Sequence, residues 1–216
     1  MKRRDFSRLS AALVVAAPVG AVFPARAQER FQEGVDFLAL DQRAATEAPA
    51  GKIEVVEFFW YNCPHCNAFE PRLAQWLQQL PQDVHFRRIP VAFQDSFVPQ
   101  QRLYFTLDAL GEVERLHAKV FAAIHQQRRN LTRADAIADW AVEQGLDRKR
   151  FVEVFNSFAV STRVTRATQF QDIYQVQGVP SLGVAGRFYT DATIAKNMDR
   201  ALRVVEALVS GIRSGR

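Results

Sequence analysis

The stretch Val55-Val56-Glu57-Phe58-Phe59-Trp60-Tyr61-Asn62-Cys63-Pro64-His65-Cys66 joins an apolar run to a pair of cysteines. Val and Phe side chains crowd its first half, which reads as a strand buried on both faces. After the cysteines, Phe69, Leu73, Trp76, Leu77 and Leu80 recur at helical spacing. The pair therefore sits where a strand passes into a helix. Pro64 suits the first helical turn, where its missing N–H costs nothing. Cys63 is expected at the helix N-terminus, with free backbone N–H groups aimed at its sulfur, and Cys66 one turn further in.

That placement has a chemical consequence. Disulfide exchange proceeds through the thiolate, and a helix N-terminus stabilises the thiolate over the thiol. His65, protonated or donating a hydrogen bond, adds to this. Cys63 is expected as the exposed nucleophile and Cys66 as the buried resolving thiol. Other uses of the pair fit less well. Zinc needs about four ligands, and His85, His117 and His125 show no ligand spacing. The last two lie about 12 Å apart along a helix at ~1.5 Å per residue. A c-type haem needs histidine directly after the second cysteine, and Asn67 stands there. A structural disulfide across two residues closes too small a loop to constrain the unfolded chain much. No metal or other cofactor is expected.

The ends place the chain in a compartment. Lys2, Arg3, Arg4 and Arg8 precede an apolar stretch, residues 9–23, that closes on Ala25-Arg26-Ala27. This is the pattern of a cleaved export signal, residues 1–27, and the stretch is too short and broken to span a bilayer comfortably. Arg3-Arg4-Asp5-Phe6 resembles a twin-arginine start, so either the Sec or the twin-arginine route is open. A bacterial periplasm is the expected destination. The signal holds five of the 28 basic and one of the 23 acidic residues, leaving 23 against 22. A near-neutral mature chain offers no basic surface for nucleic acid. Its 189 residues suffice for one domain, or one domain with an insertion.

Glu57-Phe58-Phe59, then Cys63-Pro64-His65-Cys66, then Gly178-Val179-Pro180 resembles the DsbA family of periplasmic thiol oxidases, in order and over essentially the whole mature length. Cys-Pro-His-Cys separates it from thioredoxins, which usually carry Gly-Pro between the cysteines. The resemblance implies an α/β thioredoxin fold with an inserted all-helical domain. It also implies a cis Pro180 facing the cysteines, with Val179 offering its backbone to an extended substrate. By the same resemblance Glu57 is a buried acid exchanging a proton with Cys66, although a carboxylate at a strand edge reaching solvent is the plainer alternative. Pro71 takes the place of the proline inside the active-site helix.

The rest of the chain agrees with that outline. Strand signals fall at 35–40, 53–59, 84–91, 181–184 and 187–190. Between them the pattern turns helical. Val113, Leu116, Val120 and Ile124 mark one amphipathic face. Thr132 with Asp135 suggests a capping box before Ile137, Trp140 and Ala141, and Gly145 ends that helix. Asp147 caps the next, which buries Phe151 and Phe155. Gly178 reads as the terminator of the last inserted helix, and Ala201, Val204, Val205 and Leu208 form a final one. The expected division is 28–95 with 178–216 for the thioredoxin part and 96–177 for the insertion. His117 and His125 receive no role. Trp60 and Phe93 are candidates for an apolar rim, with core packing the commoner use of an aromatic.

The expected activity is a monomeric oxidase that passes its Cys63–Cys66 disulfide to reduced or unfolded exported proteins. A DsbB-like membrane oxidase, implied by the resemblance, would restore the disulfide. A reductase or isomerase on the same fold, and a chaperone-like binder of unfolded chains, are the competing readings.

Overall fold

A computed structural model describes residues 29–215, and the chain folds as one unit from Phe31 onward. The expected export signal lies outside the described residues. A five-stranded sheet has the order β1-β5-β4-β2-β3. Its strands are β1 (Leu38–Ala39), β2 (Ile53–Phe59), β3 (Val84–Pro90), β4 (Ser181–Val184) and β5 (Phe188–Asp191). β2 and β3 run parallel, joined through helix α1 (Pro64–Leu77), while β4 and β5 are antiparallel to their neighbours. Five helices stand between β3 and β4: α2 (Val98–Ala109), α3 (Val113–His125), α4 (Ala134–Glu143), α5 (Arg148–Phe155) and α6 (Phe158–Ile173). Helix α7 (Met198–Arg213) closes the chain. This is the thioredoxin arrangement with a helical insertion.

Successive strand residues face opposite sides, and β2 uses both. Val55, with Leu182 and Val184 of β4, packs under Phe69, Leu73 and Trp76 of α1 and Val204 and Val205 of α7. Val56 and Phe58, with Ile89 of β3, pack against inserted-helix residues such as Leu103, Leu107, Leu116 and Val120. The insertion thus shares a core with the sheet. Glu57 has the same parity as Val55, so a carboxylate stands on the α1 side of this interior strand.

Four local expectations need correction. Only Leu38 and Ala39 of 35–40 form a strand, paired with Tyr189 and Phe188. Asp36 is the reason: its carboxylate takes the backbone N–H of Gln32 at 2.9 Å and Arg200 at 2.6 Å, which holds the preceding residues in a turn through Gly34 (φ 79°). The capping box at Thr132 does not form. Asn130 Oδ1 accepts from both the backbone N–H and the hydroxyl of Thr132, so Arg133 becomes the N-cap of α4 and Asp135 pairs with it at 3.2 Å. Gly178 does not end α6, which stops at Ile173. The left-handed position there belongs to Gln175 (φ 50°). Strand β5 runs one residue later than expected, because Gly186 (φ 65°) turns the chain within 184–187. By contrast Asp147 accepts from the backbone N–H of Arg150 at 2.7 Å, and Gly145 (φ 89°) follows α4 as anticipated.

Candidate active site

Strand β2 ends at Phe59, and Cys63 is the N-cap of α1 with Pro64 in the first turn. His65 and Cys66 follow in the first turn, where the backbone N–H groups at the helix end favour the Cys63 thiolate, although no side-chain cap hydrogen bond forms. Both cysteines are unlinked thiols. The expectation of an exposed Cys63 is corrected by its environment: it shows 7 % of its surface and Cys66 none. Cys63 Sγ lies under the Val179 carbonyl, 3.4 Å away, and in the thiol form donates to it. His65 and Pro64 are exposed beside it. The Val179–Pro180 peptide bond is cis, with Pro180 buried and Val179 half-buried.

Electrostatics separates the two thiols. The hydrogen bond from Cys66 is the largest influence on Cys63. With the N–H groups of Cys66 and His65 and the charge of His65, it outweighs burial and brings the Cys63 pKa down to about 6. Burial drives Cys66 the other way, and the Cys63 thiolate beside it adds to the rise. One sulfur is a thiolate at neutral pH and its partner holds its proton.

Glu57 is fully buried beneath this pair. Arg88, its register partner on β3, brings Nε to 3.0 Å from Glu57 Oε2. The contact is an ion pair set too far off line to be a hydrogen bond, so neither Glu57 oxygen has a donor among the described residues. Burial, then the charge of Glu70, hold the Glu57 carboxyl well above the ordinary carboxylate range against the pull of Arg88. A carboxyl that keeps its proton at neutral pH close to a thiol is a proton donor in waiting.

Three further residues complete the setting, and sequence reasoning assigned none of them. Glu70 on α1 accepts from Arg88 Nη2 at 3.2 Å and meets His117 Nε2 at 3.1 Å. Tyr61 Oη lies 2.9 Å from His117 Nδ1. Glu70 stands four residues after Cys66, hence on the same helix face, and His117 falls within the apolar stripe Val113, Val120, Ile124. Those spacings were the available signals. Arg88 had none, because only strand pairing brings it to Glu57. His125 also has a job: its Nε2 meets the Tyr61 carbonyl at 2.9 Å and its ring stacks on Phe121.

The surface around Cys63 has an apolar side. Trp60 stacks on Phe97 at 3.6 Å, and Phe93, 43 % exposed, meets Phe97 edge-on. A groove of about 470 Å³ runs beside the site, lined by His65, Phe69, Arg72, Val179, Pro180 and Met198 among others.

Known proteins resemble the whole arrangement. Residues 54–203 match the family described as the DSBA-like thioredoxin domain. The thiol:disulfide interchange protein DsbA of Bordetella parapertussis is 41 % identical over 210 residues, which is 97 % of this chain and 98 % of its own length. The protein of the same name from Burkholderia cepacia is 37 % identical over 180 residues, 83 % of this chain and 85 % of its own. The crystal structure of Pseudomonas aeruginosa DsbA superposes with a TM-score of 0.81 at 34 % identity, covering 86 % of this chain and 96 % of that one.

Proposed function

Because the chain belongs to the DsbA family and is a thiol:disulfide oxidoreductase of that type, we propose that it works as an oxidase, passing its Cys63–Cys66 disulfide to exported proteins. A substrate thiolate attacks Cys63 Sγ. The Cys63–Cys66 bond breaks, a mixed disulfide with Cys63 forms, and Cys66 leaves as a thiolate that takes the Glu57 proton. A second substrate thiolate then attacks the substrate sulfur of the mixed disulfide. The substrate gains its disulfide, Cys63 leaves as a thiolate, and the cysteine pair has taken up two electrons. Attack falls on Cys63 because Cys66 is wholly buried, and the low pKa of Cys63 makes it a good leaving group from the mixed disulfide in the second step.

The observation that carries this reading is the asymmetry of the pair: Cys63 at the N-cap, its pKa lowered by Cys66 and by the backbone N–H groups of Cys66 and His65, and Cys66 wholly buried and raised. Stabilising the Cys63 thiolate favours the reduced form and so makes the disulfide a stronger oxidant. DsbA is itself the familiar strong oxidant among such pairs, for this same reason, so the direction is the family's own. Val179 and Pro180 would hold the substrate backbone and His65 would support the thiolate.

On the same reading the protein is a periplasmic monomer, with residues 1–27 removed on export and a DsbB-like membrane oxidase restoring the disulfide. No helix among the described residues is long and apolar enough to cross a membrane. Residues 96–177 act as the insertion between the two thioredoxin segments, 28–95 and 178–216. The five helices between β3 and β4 support that division.

The test is the reduction potential of the pair, titrated against glutathione. A value well above the glutathione couple supports the oxidase. A value in the thioredoxin range reverses the electron flow and makes the protein a reductase.

A further inference from the structure

Five side chains from five parts of the fold form one line: Tyr61, His117, Glu70, Arg88 and Glu57. Of these Tyr61, His117 and Glu57 are buried, and Glu70 and Arg88 half-buried. Tyr61 follows β2, Glu70 sits on α1, His117 on α3, Arg88 on β3 and Glu57 on β2. The contacts, in order, are 2.9, 3.1, 3.2 and 3.0 Å. Two acids therefore share one guanidinium. Arg88 gives Glu70 a hydrogen bond but gives Glu57 only an off-line ion pair.

The hydrogen atoms in this line can be placed by elimination. Glu70 accepts from Arg88 on Oε2, so as a carboxylate it offers Oε1 only as an acceptor. His117 must then donate from Nε2, and its Nδ1 lone pair accepts the Tyr61 hydroxyl. The ring is walled by Phe59, Tyr104 and Phe121, an apolar setting that favours a neutral imidazole. A neutral ring still donates to Glu70, so the anion there does not depend on His117 being charged.

We propose that His117 is a positioning residue for Glu57: by donating to Glu70 it fixes which of the two acids Arg88 neutralises, and leaves Glu57 as the one that carries the exchangeable proton. The inference rests on Glu57 serving as the proton donor to Cys66, and extends that role to a residue that touches neither cysteine. Other groups face Glu57 from the elements around it. Cys66 comes from α1, Tyr104 from α2 and Tyr61 from the chain after β2. None of these carries a permanent charge, so the balance lies between Glu70 and Arg88, and His117 sets it. The directions agree. Burial raises Glu70, but the hydrogen bond from His117, the His117 charge when the ring is protonated, and Arg88 outweigh it and leave it low, while Glu57 stays high.

The experiment is a carbon-13 NMR titration of the Glu57 carboxyl in the full reduced protein and in three His117 variants. In His117→Phe the donor is lost, Arg88 turns to Glu57, and the Glu57 midpoint falls by about one pH unit or more. His117→Gln, whose amide N–H reaches Glu70, restores the wild-type midpoint, which a merely space-filling histidine would not require. His117→Asn, smaller and too short to reach Glu70, falls like the Phe variant and serves if that protein does not fold. A Glu57 midpoint in His117→Phe or His117→Asn within about 0.3 unit of wild type overturns the proposal. The underlying role of Glu57 is read separately, from the pH profile of disulfide donation by Glu57→Gln. An unchanged profile there removes the proton-transfer role while leaving the His117 result standing on its own.

Discussion

Cys63 Sγ and the carbonyl oxygen of Val179 lie 3.4 Å apart although 116 residues separate them in the chain. The reactive sulfur is therefore held between a helix N-terminus and the loop before β4, with a sliver of surface left exposed. A substrate thiol has to approach along that loop, and the thiolate has to be present for exchange in the reverse direction.

Alkylation of the reduced protein by iodoacetamide should follow the Cys63 thiolate. The rate is expected to be constant above about pH 7 and to fall tenfold per unit well below the pKa of about 6. Cys66, buried and raised, should stay unmodified throughout in a Cys63→Ser protein. Mass spectrometry of the labelled peptide gives both results.

The potential should bend with pH at the same place. Below the Cys63 pKa, reduction takes up two protons with two electrons; above it, only one. The slope is expected to change from about 59 to about 30 mV per pH unit near pH ~6. Titration against glutathione at several pH values between about 4.5 and 8 would show it, and a straight line would count against a stabilised thiolate.

Glu57 should make the fold sensitive to pH. Its folded pKa is raised above that of the unfolded chain. Between the two values the folded state binds more protons, so stability is full below the unfolded pKa and declines as pH rises through the folded one. Glu57→Gln removes that slope. The variant is expected to gain on wild type, by roughly 2 kcal/mol, as pH goes from about 5 to about 9. Urea unfolding of both reduced proteins across that range is the measurement.

Gly183 on β4 should not tolerate a side chain. A Cβ there would stand 2.3 Å from Tyr174 Cε1 and 2.7 Å from Val56 Cγ2, and both neighbours are buried. Gly183→Ala is expected to destabilise by about 2 kcal/mol. Tyr174→Leu in the same chain should recover part of the loss, which a double-mutant cycle by thermal unfolding would reveal.

The fold and the reactive pair are written in local sequence. A Val- and Phe-rich run, a proline in the first turn and helical spacing after Cys66 place a thiol at a helix N-terminus with no knowledge of the rest of the chain. The boundaries of β2 and β4, and the caps at Asp147 and Gly145, follow from the same short-range rules. Competition between short-range bonds proved less legible. Asp36 and Asn130 each captured nearby N–H groups, which cut the first strand to two residues and removed a capping box.

Tertiary structure decided which charges surround the cysteines. Glu57 was read as an acid beneath the site, but its neighbours come from another strand and two helices. Arg88 reaches it because β2 and β3 are in register, and His117 reaches Glu70 because α3 packs beside α1. A carboxyl's proton affinity depends on burial and on charges within a few ångströms, and the groups that supply them here lie 13 to 60 residues away along the chain. Spacing along one element can put a sulfur at a helix end; only packing between elements can set the protons around it.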